Sequence, residues 1–64
     1  MTNEELNELY AIKKQLKSRI ARNKIALRKA HCDLERGVIV EALEPLIEAV
    51  KYVNGLIELD YESL

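Results

Sequence analysis

From Leu6 onward, apolar residues recur three, four or seven positions apart. Leu6, Leu9, Leu16, Ile20, Leu27, Ala30 and Leu34 form the series, with Lys13 and Asn23 as its polar members. That is the heptad seam of a helix. On a helical wheel Leu9, Ile12, Leu16, Ile20, Asn23, Leu27, Ala30 and Leu34 fall within an arc of about 80°. Thr2 precedes Glu5 by three residues, the spacing of a capping box, and acids in a first turn suit the helix dipole. Gly37 supplies a stop, because glycine readily takes the left-handed conformation that closes a helix. The pattern therefore predicts a first helix over about residues 3–36 and a turn at Gly37. Such a helix would be roughly 50 Å long, too long for a compact monomer of this size.

Beyond the β-branched Val38-Ile39-Val40, the spacing predicts a second helix over about residues 40–59. Ile39, Leu43, Leu46, Ile47, Val50, Val53, Ile57, Tyr61 and Leu64 share one face. Pro45 is compatible with a first turn, and a bend near Glu41 follows if the helix starts early. Asn54-Gly55 is a breaker pair, but the apolar stripe keeps its phase across it, so one helix is expected to run through. Glu41, Glu44, Glu48, Glu58 and Glu62 line one flank with Lys51 among them. The remaining sector holds Ala42, Ala49, Tyr52, Leu56 and Leu59, too apolar to stay in water.

These two elements define an all-α fold, a helical hairpin with a long first arm and a shorter second one. A hairpin covers one side of the second helix and leaves the N-terminal part of the first bare. Both surfaces predict association into a homodimeric antiparallel four-helix bundle. The expected interface residues are Leu9, Leu16, Ile20, Asn23 and Leu27 on the first helix, with Tyr52, Leu56 and Leu59 on the second. Asn23 reads as a register device, since two asparagines meeting across a dimer satisfy each other, or equally as a polar residue at a wet edge of the seam.

Size supports the need for a partner. A chain of 64 residues buries only about 60% of the surface its unfolded form exposes. The single cysteine, Cys32, closes no intramolecular disulfide, and beside the single His31 it falls short of a zinc set. No metal or other cofactor is expected. The composition, 48% apolar and 33% charged with 2 Gly and 1 Pro, is that of long helices and not of a disordered chain. There is no apolar run long enough to cross a membrane, the start Met1-Thr2-Asn3-Glu4-Glu5 is unlike a secretory leader, and a free thiol suits a reducing compartment. A cytoplasmic protein is the expectation.

The net charge of -1 hides a segregation along the chain. Residues 9–32 carry Lys13, Lys14, Lys17, Arg19, Arg22, Lys24, Arg28 and Lys29 without an acid, whereas residues 33–64 carry eight acids against Arg36 and Lys51. One role for the basic run is to face the acidic flank of the second helix, in the same chain or its mate. The other is to neutralise phosphates through Lys14, Lys17, Arg22, Arg28 and Lys29. The segment Asn23 to Ala30 resembles the basic region of leucine-zipper transcription factors in its Asn and Ala spacing, and departs from it in lacking the second alanine and the terminal arginine. No aromatic interrupts the basic run to stack on single strands. No spacing singles out a general acid, a general base or a phosphate loop. The sequence thus points to a small non-enzymatic interaction module, a regulator, inhibitor or assembly factor. A dimeric nucleic-acid-binding regulator is the alternative.

Overall fold

The computed structural model describes the backbone of residues 1–62 and the side chains of residues 1–61. Two helices, α1 (Asn3–Lys29) and α2 (Asp33–Glu62), fold against each other into a hairpin measuring 49 × 15 × 11 Å. The start of α1 follows the sequence: the Thr2 hydroxyl accepts the Glu5 backbone N–H at 3.2 Å and donates to Glu5 Oε1 at 3.2 Å. This is the capping box.

The turn is not at Gly37. α1 stops at Lys29, Ala30 is extended at φ −66° and ψ 135°, and its N–H reaches the Leu27 carbonyl at 3.3 Å. Cys32 then caps α2, its Sγ accepting the Glu35 N–H at 3.5 Å while Glu35 Oε2 accepts the His31 N–H at 3.3 Å. A thiol here does the work a serine or threonine hydroxyl does in the usual box. Basic Arg28 and Lys29 close α1 and acidic Asp33 and Glu35 open α2, so both dipoles meet favourable charge.

Burial explains why the chain turns seven residues early. A turn at Gly37 would set a long arm against a short one and strand the first turns of α1, where Leu6 and Leu9 sit. Turning at Ala30 matches 27 residues against 30. Burying a leucine is worth about 1.5–3 kcal/mol, more than a glycine's local preference of up to about 1 kcal/mol. The seam of α1 is half-buried at Leu6, Leu9, Lys13, Leu16, Ile20, Asn23 and Leu27 and buried at Ala30. Its counterpart on α2 runs through Ile39, Leu43, Leu46, Val50, Val53, Ile57 and Asp60, with Leu43, Val53 and Ile57 buried. Both series alternate steps of three and four, so each layer of one helix meets a layer of the other. Leu34, expected in the first seam, instead stands 80% exposed on α2. Ile12, at the margin of the arc, is exposed as well.

α2 is unbroken through Pro45 and through Asn54-Gly55, and extends beyond the expected end to Glu62. Pro45 withholds an N–H from the Glu41 carbonyl, but both residues are exposed and water can replace the bond. Tyr61, expected on the buried face, is 56% exposed. Leu64 lies outside the described residues. Gly37, now inside α2, has no positive φ, and a Cβ added there meets nothing within 4 Å. Gly37→Ala is therefore expected to stabilise the fold by about 0.5–1 kcal/mol, read as a higher urea midpoint. A glycine closing a helix in the left-handed region would give the opposite sign.

Candidate interaction surfaces

Three surfaces carry polar or apolar groups that the hairpin does not use up. The first is the outer face of α2. Val38, Ala42, Pro45, Ala49, Tyr52, Leu56 and Leu59 follow one another at steps of four and three, forming a second seam roughly 100° around the helix from the first. Val38 is 60% exposed, Tyr52 70% and Leu59 62%. Ala49 and Leu56 are half-buried, while Ala42 and Pro45 are exposed. Toward its C-terminal end this face forms an apolar groove of about 380 Å³ lined by Lys51, Tyr52, Gly55, Leu56, Glu58 and Leu59. Of the expected interface residues, Tyr52, Leu56 and Leu59 thus come together on one surface. Leu9, Leu16, Ile20, Asn23 and Leu27 do not join them. They face α2 of their own chain, which covers α1 along its whole length and leaves no bare N-terminal part.

The second surface is basic. Lys14, Lys17, Arg22, Arg28 and Lys29 are all exposed on α1. Two shallow grooves run along this face, one of about 430 Å³ beside Tyr10, Lys13, Lys14, Lys17, Ser18 and Ala21, the other of about 380 Å³ beside Lys14, Gln15, Ser18, Arg19 and Arg22. Among the described residues, no ion pair joins the basic run to the acidic flank of α2. The pairs formed there are Lys51 with Glu48 at 3.8 Å, within α2, and the Met1 amino group with Asp60 at 3.2 Å. Among the described residues of one chain, the two charged surfaces form no ion pair with each other.

The third surface is the open end of the hairpin, where the two chain ends are tied. The Met1–Asp60 pair is joined by a hydrogen bond of 2.8 Å between the hydroxyls of Tyr10 and Tyr61. That bond, with lesser desolvation and the nearby Tyr61 and Asp60 charges, raises the Tyr10 pKa above its ordinary value near 10. Because folding holds the proton more tightly, this contribution to stability is intact below pH 10 and is lost as the pH rises through the raised value.

Asn23 is half-buried in the first seam, and its Nδ2 donates to the Arg19 carbonyl one turn back at 2.9 Å. Its amide thus finds a partner within its own helix. The His31 backbone N–H and the Cys32 sulfur serve the cap of α2, and the His31 side chain is exposed. Among the described residues, no group of three or more His, Cys, Asp or Glu side chains is placed to hold a metal, and no helix is long and apolar enough to cross a membrane. The cap at Cys32 was the site residue hardest to read from sequence: its signal is Cys-x-x-Glu, a capping box written with a residue type seldom used for it. No family model, curated protein or solved structure matches the chain.

Proposed function

We propose that the protein is a small non-enzymatic interaction module whose first partner is a second copy of itself, two hairpins joining as a four-helix bundle. In that form it acts on other proteins as a regulator, inhibitor or assembly factor. The observation that carries this reading is the second apolar seam of α2. Large side chains standing 60–70% exposed at Val38, Tyr52 and Leu59 along one heptad series are not a solvated face. Among the described residues only four, Ala30, Leu43, Val53 and Ile57, are buried in the single chain, a thin core for independent stability.

A second reading is supported by the unpaired state of the basic run. Cations that pair with no carboxylate among the described residues are available to phosphates, and Lys14, Lys17, Arg22, Arg28 and Lys29 would make those contacts. Salt and two variants separate the readings. Light scattering across protein concentration and ionic strength should report a dimer that persists in high salt. Leu56→Asp should shift it to monomer, whereas the double variant Lys14→Glu/Arg22→Glu should leave the dimer intact. If the phosphate reading holds instead, the wild type shifts nucleic acid at low salt, loses it steeply as salt rises, and the Lys14/Arg22 reversal abolishes the shift.

A further inference from the structure

The surface area of the hairpin is 5185 Å², whereas a folded monomer of this mass exposes about 4,200 Å². The excess, about 1,000 Å² per chain, is close to the roughly 800 Å² that each partner buries in a stable interface. A second copy is therefore an occupant of the right size for the outer seam of α2. The charged face of α1 offers that seam no matching stripe, because Lys14, Ser18, Arg22 and Lys29 occupy the positions an apolar series would need.

The seam also carries its own register. Read upward from Ala42, the steps to Pro45, Ala49, Tyr52, Leu56 and Leu59 are three, four, three, four, three, a series that is identical when read downward. Two copies run antiparallel can therefore align the six layers from Ala42 to Leu59, with Val38 lying beyond them. We propose that the outer seams of two α2 helices pack antiparallel across a two-fold axis, with Ala42 against the partner's Leu59, Pro45 against the partner's Leu56 and Ala49 against the partner's Tyr52. Each layer sets a small residue against a large one, the arrangement that fills space without crowding. At the rim, Glu48 lies level with the partner's Lys51 near the centre of the pair, while the same offset sets Glu41 level with the partner's Glu58 toward its ends, so the apolar layers and not the rim charges carry this alignment.

Two other alignments do worse. Sliding the helices to set Val38 against the partner's Leu56 uncovers Leu59 in place of Val38, sets Pro45 against the partner's Ala49, a layer of two small residues, and brings Glu48 beside its own symmetry mate at the centre of the pair. A parallel pair stacks alanine on alanine and tyrosine on tyrosine, so that voids alternate with clashes. This inference rests on the dimer of the proposed function and specifies its geometry.

The test uses two single-cysteine chains in a Cys32→Ser background, which keeps a capping hydroxyl at α2. One carries Ala42→Cys and the other Leu59→Cys. Within one helix these positions are roughly 25 Å apart, so any disulfide joins two chains. Mild oxidation of either protein alone should give no covalent dimer, and an equal mixture should convert about half of the protein, the share of mixed dimers expected from random exchange. Covalent dimer from Ala42→Cys alone would overturn the antiparallel packing. A dimer by light scattering that forms no link in any sample would overturn the register while leaving the dimer standing. A monomer at all concentrations, with helix content intact by circular dichroism, would overturn both.

Discussion

Replacing Leu43 by alanine is expected to destabilise the hairpin by roughly 2–4 kcal/mol. Leu43 is 7% exposed on the inner seam of α2, in the half of the helix that leads out of the turn. Removing its side chain takes away burial and leaves a cavity that two rigid helices refill poorly. A domain of this length holds about 3–10 kcal/mol in total, so the loss is a large share of the whole. Urea titration followed by far-ultraviolet circular dichroism should show the midpoint falling sharply or the folded baseline disappearing. Leu34→Ala is the informative control. Leu34 is 80% exposed, and its loss should change stability by no more than about 0.5 kcal/mol. Had α1 continued to Gly37, Leu34 would sit in the inner seam and its truncation would cost as much as that of Leu43. Equal losses from the two variants would therefore move the turn back to Gly37.

The contrast between these leucines marks how far the sequence could be read. Helical content, the start at Thr2, the inner seams, the continuity through Gly55 and the second apolar side of α2 all follow from periodicity and from one capping box. Each is a local or near-local signal. At the turn two local signals compete. Gly37 is a strong punctuation mark, while Ala30, His31 and Cys32 are ordinary helix residues by type. What decides between them is the pairing of helices of equal length, a property of the whole hairpin that no short window contains. Moving the turn also transfers Leu34 from one helix to the other and removes the bare N-terminal part of α1. One of two reasons for a dimer goes with it, and the outer seam of α2 is the one that stays. The charge segregation was legible at once. Its expected consequence, pairing between the basic run and the acidic flank, is absent within the described part of one chain.

Asn23 is where a local rule is broken inside the inner seam, and Asn23→Leu is expected to raise stability by about 1–2 kcal/mol. About 1 kcal/mol comes from apolar surface withdrawn from water at a half-buried position, and a few tenths more from the higher helix propensity of leucine. Little is lost in exchange. The Arg19 carbonyl that accepts from Asn23 Nδ2 at 2.9 Å sits at the acceptor position of an ordinary helical bond, so removing the amide does not strand it. In a domain of this size 1 kcal/mol corresponds to about 4–8 °C in Tm, so a thermal melt at fixed protein concentration resolves the gain easily. A lower Tm would mean that the amide supports something other than its own helix. The same change should weaken the discrimination between registers. With leucine the α1 seam becomes apolar everywhere except Lys13, so fewer polar positions distinguish one alignment from another. Light scattering on Asn23→Leu should then show species larger than the wild-type assembly, gaining stability while losing uniqueness. Species of unchanged size would mean that the turn at Ala30 and the remaining seam residues set the alignment without Asn23.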